Sequence, residues 1–248
     1  MKFAANLTTL FTETPLLERP AAAAGAGFAG VEMHDPYGVA VQDLRDRLVW
    51  AGLPVCLFNA PPPNYTGGER GWAAVPGLET RFRRDLDRAL RVAQVLKCPR
   101  LHLMCGAAEG PEARATLVRN LRHAATSGRG TAFTIEVINR TDRPGWFLAD
   151  FDLALDILVE VGAPNVGLQF DTWHAQRITG DLAATWEKVR PVATHVQIGA
   201  TTDRGEPDAP VLDFLHALGA EGWDGWVGAE YTPRGATRDG LGWMSGFH

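Results

Sequence analysis

Four short apolar runs carry the residues of this chain best suited to chemistry. They read Ile135-Glu136-Val137, Gln169-Phe170-Asp171-Thr172-Trp173-His174, His195-Val196-Gln197-Ile198 and Gly228-Ala229-Glu230-Tyr231. Each charged or imidazole group sits at or near the end of its run. A buried carboxylate is costly unless it is paired, protonated or bound to a metal. Singly, each residue has an ordinary use. Glu136 could anchor a loop, Asp171 could cap the turn that follows it, His195 could be a hydrogen-bonded core histidine, and Glu230 could pair with Arg234. One oxygen-rich metal site made of Glu136, Asp171, His195 and Glu230 explains all four together. Three carboxylates and an imidazole without a thiolate favour Mg²⁺ or Mn²⁺, with Co²⁺ or Zn²⁺ as alternatives. Such a metal polarises a carbonyl and stabilises an enediolate. Glu136 and Glu230, on opposite sides of it, would then move a proton between neighbouring carbons.

The elements that must position these residues alternate. Strand patterns fall at 3–7, 30–34, 55–59, 100–104, 132–138, 166–171, 194–198 and 226–231. Helical patterns fall between them, at 16–26, 41–51, 78–96, 112–127, 150–161, 181–189 and 211–218. A last helix after the eighth strand is missing or vestigial, within 237–247. Gly52, Gly162 and Gly219 are placed to end helices, and Pro54, Pro99 and Pro164 stop them from continuing. Strands separated by helices pair in parallel through crossovers, and eight such units favour a closed α/β barrel. An open doubly wound sheet is disfavoured, because Ala4-Ala5-Asn6-Leu7-Thr8 after the first strand offers no glycine-rich fingerprint. In a barrel, catalytic groups gather at the carboxyl ends of the strands. Side chains two apart share a strand face, so Glu32 points with His34, Gln169 with Asp171, and His195 with Gln197.

The chain has 248 residues and is 46% hydrophobic, enough for a single barrel domain over 1–248. A net charge of −5 argues against a nucleic-acid face. Three cysteines, Cys56, Cys98 and Cys105, form no CxxC motif and suit a reducing cytoplasm. The first 13 residues do not read as a signal peptide, and no apolar run is long enough for a membrane span. The expected partner is a small-molecule substrate, with homodimer or higher assembly left open.

The chain resembles the hydroxypyruvate isomerase family of xylose-isomerase-like barrels. The resemblance rests on Phe3-Ala4-Ala5-Asn6-Leu7, Gly27-Phe28-Ala29-Gly30-Val31-Glu32, Gly68-Glu69-Arg70-Gly71, Ile135-Glu136-Val137-Ile138-Asn139 and Pro144-Gly145-Trp146-Phe147-Leu148. It continues through Asp171-Thr172-Trp173-His174, His195-Val196-Gln197-Ile198 and Gly240-Leu241-Gly242-Trp243. It implies a TIM barrel that interconverts hydroxypyruvate and tartronate semialdehyde, or acts on a related 2-oxo acid. It also implies metal ligands at Glu136, Asp171, His195 and Glu230, with the two glutamates as the acid–base pair. His174 would touch substrate hydroxyls, and His102 is a further substrate contact. A substrate carboxylate calls for a guanidinium fork, for which Arg70 and Arg204 are the candidates. The loop 199–211 departs from the family, with Ala200, Gly205 and Val211 where relatives carry an acid, a histidine and a glutamate. Other readings are a sugar epimerase on the same barrel, a non-catalytic metabolite-binding barrel, and an apurinic-site endonuclease. The last is opposed by the acidic charge and the lack of further histidine ligands.

Overall fold

The computed structural model describes residues 1–247 except 66, 69 and 129. Glu69 of the Gly68–Gly71 motif therefore lies outside the described residues. Eight parallel strands close into a barrel in the order of the sequence. They are β1 (Lys2–Asn6), β2 (Gly30–Met33), β3 (Val55–Ala60), β4 (Arg100–Leu103), β5 (Ala132–Glu136), β6 (Val166–Asp171), β7 (Ala193–Ile198) and β8 (Trp226–Ala229). The helices around it are α1 (Arg19–Ala24), α2 (Val41–Ala51), α3 (Glu79–Leu96), α4 (Gly110–Ser127), α5 (Phe151–Val161), α6 (Thr172–Thr179), α7 (Leu182–Val189) and α8 (Ala209–Ala220). This is the expected TIM barrel. No helix among the described residues is long and apolar enough to cross a membrane.

Two details differ from expectation, α6 and the end of α8. α6 was not foreseen, because it starts directly at the end of β6 with no linker. Asp171 makes the join, its Oδ1 accepting from Trp173 N at 2.8 Å as the N-cap. The last segment is vestigial as expected, with Thr237–Phe247 in 3₁₀ conformation. Gly52 and Gly162 end their helices in left-handed conformation, but Gly219 lies inside the last turn of α8, before Glu221 at its end.

The apolar core lies between the strands and the helix ring. Phe170 of β6 points outward and meets Phe151, Trp186 and Phe214 at centroid separations of 6.2, 5.4 and 5.6 Å. Fully burying one such ring is worth about 1.5–3 kcal/mol, so this face clamps β6 to α5, α7 and α8. The barrel interior is different. Branched apolar side chains usually fill it, whereas here Asn6, Glu32, Thr134, Gln169, His195 and Gln197 bond to one another across it, all buried.

Gly228 makes room for this polar interior. A Cβ there would lie 2.2 Å from Glu32 Oε2. Gly228→Ala is expected to destabilise the fold by about 2 kcal/mol or more, since overpacking costs 1–3 kcal/mol. In a chain of this size that is a loss of about 4–8 °C in Tm, which a thermal melt measures directly.

Candidate active site

The carboxyl ends of β5 and β8 bring Glu136 and Glu230 into the lining of one cavity of about 110 Å³, and Asp171 at the end of β6 bonds Arg204 of the same lining. Its lining also includes His34, Asn59, Arg70, His102, Met104, Asp142, Arg143, Gln169, His174 and Arg204. Pockets for drug-sized ligands hold roughly 300–1,000 Å³, so this one suits a molecule of a few heavy atoms.

The three carboxylates differ electrostatically. Burial and the charges of Asp171 and Glu230 push Glu136 well above the usual carboxylate range. Burial also lifts Asp171, to about 7, although Arg204 opposes the shift. Burial acts the same way on Glu230, but His34 and Arg204 outweigh it and hold that carboxyl well below the usual range. The contacts show why. Glu230 Oε1 lies 3.1 Å from His34 Nε2 and 2.5 Å from Arg204 Nη2. The same guanidinium nitrogen donates to Asp171 Oδ2 at 2.8 Å. Among the described residues Glu136 has only distant imidazoles, His102 Nδ1 at 3.6 Å and His174 Nε2 at 3.8 Å.

The proton on His174 can be assigned from its neighbours. Asp142 N donates to Asn139 Oδ1 at 3.0 Å, so Asn139 Nδ2 faces His174 Nδ1, at 2.7 Å. The Asn139 amide N–H points at the same atom from 3.4 Å. Two donors make Nδ1 an acceptor, so the hydrogen is on Nε2, which faces Glu136 and Asp171. Burial holds this imidazole neutral, with its pKa down at about 3. His174 is therefore a hydrogen-bond donor to the site. His102 is likewise kept neutral by burial, at about 3; its Nδ1 contacts Asn59 Oδ1 at 3.2 Å and its Nε2 has no partner among the described residues.

His195 is not brought to the other three proposed ligands. Its Nε2 bonds Glu32 Oε2 at 2.6 Å inside the barrel. The β6–β7 register pairs Gln169 with His195 and Asp171 with Gln197. Gln197 thus stands at the level of Asp171, and its Nε2 reaches Glu230 Oε2 at 2.5 Å. Both side chains face inward as expected, but in different layers. Arg70 lines the cavity as expected, with its Nε and Nη2 bonded to the carbonyls of Pro61 and His34 at 2.9 and 2.8 Å. Arg204 reaches the site with φ of 54°, but its fork meets the protein's own carboxylates. The residues missed from sequence are His34, Gln197 and Arg143.

Among the described residues two groups could hold a metal, namely Glu136–Asp171–His174 and Glu32–Cys56–His195. In the first, the protonated Nε2 of His174 is not a ligand atom, which leaves the oxygens. The residues fit a hard divalent cation, because the burial and repulsion that raise Glu136 and Asp171 are what such an ion relieves.

The loop 199–208 closes on itself. Ala200 N bonds Gly205 O at 2.9 Å, Thr201 Oγ1 bonds Asp208 Oδ2 at 2.7 Å, and Arg234 bonds both Asp203 and Glu206. A Cβ on Gly205 would lie 2.8 Å from the Arg234 guanidinium carbon. Gly205 thus leaves room for the contact of Arg234 with this loop.

A family model described as a xylose isomerase-like TIM barrel matches residues 20–246. The chain is 42% identical over 252 residues to the 2-oxo-tetronate isomerase of Cupriavidus necator, across 98% of this chain and 97% of that one. It is 39% identical over 263 residues to the putative hydroxypyruvate isomerase of Homo sapiens, across 100% of this chain and 95% of the other. Among solved structures, an AP endonuclease, family 2, from Brucella melitensis superposes with a TM-score of 0.94 at 40% identity, covering 100% of this chain and 99% of that one. The chain belongs to the xylose isomerase-like TIM-barrel family, and within it to the hydroxypyruvate isomerase group.

Proposed function

We propose that this isomerase acts on a small hydroxy-2-oxo acid, hydroxypyruvate or its four-carbon 2-oxo-tetronate homologue, by passing a proton between adjacent carbons. The observation that carries the reading is the pair Glu136 and Glu230, buried around one small cavity with their ionisation pushed in opposite directions. Titratable pairs driven apart in this way mark acid and base roles. Glu230, held ionised, accepts the proton from the hydroxyl-bearing carbon. Glu136, which favours the protonated form, returns one to the former carbonyl carbon, while the hydroxyl proton passes to the former carbonyl oxygen, so that the alcohol becomes the carbonyl and the carbonyl the alcohol. His174 Nε2–H and the unpartnered His102 Nε2 offer one donor and one acceptor for substrate oxygens. Arg143 and Arg204 supply positive charge for the carboxylate. Glu136, Asp171 and Glu230, without His195, would hold a divalent metal such as Mg²⁺ or Mn²⁺. That ion would bind neighbouring substrate oxygens and stabilise the enediolate.

Turnover of hydroxypyruvate, 2-oxo-tetronate, a panel of ketoses and an abasic-site DNA duplex tests the reading. Isomerisation of a 2-oxo acid with the highest kcat/KM supports it. A ketose preference, or DNA cleavage, overturns it.

Metal binding should also depend on pH. Asp171 must lose its proton to bind a cation, and its folded-state pKa of about 7 lies above the value of about 3.9 for a free aspartate. A raised carboxyl stabilises the metal-free fold at low pH, and that contribution is lost as pH rises from about 4 to 7. Mn²⁺ affinity is therefore expected to rise by up to about tenfold per pH unit below 7. Calorimetric titration at pH 6, 7 and 8 measures it, and a flat profile would contradict the assignment.

A further inference from the structure

Beneath the cavity lies a carboxylate that the reaction above does not use. Glu32 is fully buried. Its Oε2 accepts from His195 Nε2 at 2.6 Å. Its Oε1 accepts from Asn6 Nδ2 at 3.0 Å and from Gln197 Nε2 at 2.7 Å. Each of those amide groups has a second hydrogen, and each gives it to the same atom, Glu230 Oε2, at 3.2 and 2.5 Å. Two amides therefore strap one carboxylate to the other.

The amides are not free to turn over. Carboxylate oxygens lie on both sides of each NH₂ group, so rotating either amide would set its oxygen against an acceptor. The remaining oxygens are also occupied. Asn6 Oδ1 accepts from Thr8 N at 3.0 Å. Gln197 Oε1 accepts from Gln169 Nε2 at 2.5 Å, and Gln169 Oε1 accepts from Thr134 Oγ1 at 3.2 Å. The chain from Glu32 to Thr134 is thus oriented throughout. Gly228 keeps the space that the Glu32 carboxylate needs.

We propose that Glu32 is a positioning residue that acts through Asn6 and Gln197 to tie Glu230 Oε2 to the barrel floor, so that Oε1 alone meets the substrate. This rests on the reading of Glu230 as a proton carrier. Oε1 is the atom that His34 and Arg204 contact on the cavity side. Without the anchor, both straps can turn and Glu230 can rotate, leaving the substrate pocket itself intact.

The test is steady-state kinetics of Glu32→Gln, Asn6→Ser and the double variant on the 2-oxo acid the wild-type protein turns over. Loss of an outer partner of this kind costs about 10–100-fold, so kcat of Glu32→Gln is expected to fall by ~10–100-fold with KM within ~3-fold. Asn6→Ser, which removes one strap of two, should lower kcat less, and the double variant should be no worse than Glu32→Gln, since loss of Glu32 already releases the strap that Asn6 forms. A folded Glu32→Gln with wild-type kcat, or losses that multiply in the double variant, overturns the proposal. Where Glu32→Gln does not fold, Asn6→Ser decides alone, with lowered kcat at constant KM supporting the proposal and unchanged kcat refuting it. If the wild-type protein isomerises nothing, the functional reading fails, and crystal structures then judge the positioning. A Glu230 carboxylate turned in the variant supports it, and one left unmoved refutes it.

Discussion

Glu136→Gln and Glu230→Gln should each lower kcat on the 2-oxo acid substrate by about 10²–10⁴-fold, the usual worth of a positioned proton carrier. Both substitutions keep the shape of the side chain, so a loss of this size cannot come from packing. The two should not behave alike in stability. Glu136 is disfavoured as a charge by burial and by Asp171 and Glu230, so a neutral amide there should leave the fold as stable or firmer. Glu230 pairs with His34 and Arg204, so its amide leaves the guanidinium with one fewer partner and should soften the fold. Kinetics with Mg²⁺ and thermal melts of both variants without added metal check this. A Glu136→Gln protein less stable than Glu230→Gln would show that the electrostatic asymmetry is wrong.

Arg204 carries the second large effect. It is the cation between Asp171 and Glu230, with its side chain 26% exposed. Removing one member of a buried ion pair leaves the other charge uncompensated and costs about 3 kcal/mol or more. Arg204→Met is thus expected to lower the metal-free Tm by about 6–12 °C. Saturating Mn²⁺ should then raise the variant's Tm by more than it raises that of the wild type, because the ion supplies the missing charge. A variant that melts like the wild type without metal would mean that Asp171 and Glu230 do not depend on the guanidinium.

Much of this site was readable before the structure. The alternation of short apolar runs with amphipathic stretches specified eight parallel strands, and the strand ends carried Glu136, Asp171 and Glu230. What the runs could not carry was height. His195 and Gln197 share a face, and nothing local says which one reaches the cavity. That depends on the stagger of β7 against β6, which pairs Asp171 with Gln197, and the stagger is a property of the closed barrel. The same limit applies to Glu32 and His34. They point together, yet one is the buried anchor of the floor and the other meets Glu230 from the rim. Arg70 illustrates a different limit. A loop arginine looks wholly available to a ligand until the fold shows two of its three nitrogens, Nε and Nη2, bonded to the carbonyls of Pro61 and His34. α6 escaped notice because Asp171 serves both as its cap and as a cavity carboxylate, a double use that the residue type alone does not announce.

The central claim is proton transfer between adjacent carbons of a small 2-oxo acid. The most direct measurement follows hydroxypyruvate and 2-oxo-tetronate by NMR in D₂O with the Mg²⁺-supplemented protein. The account predicts conversion to the isomeric hydroxy-oxo acid, with deuterium at the carbon that gains the proton, and labelling slower by about 10²–10⁴-fold in Glu136→Gln or Glu230→Gln. A protein that binds the metal yet leaves both acids unconverted and unlabelled would contradict it.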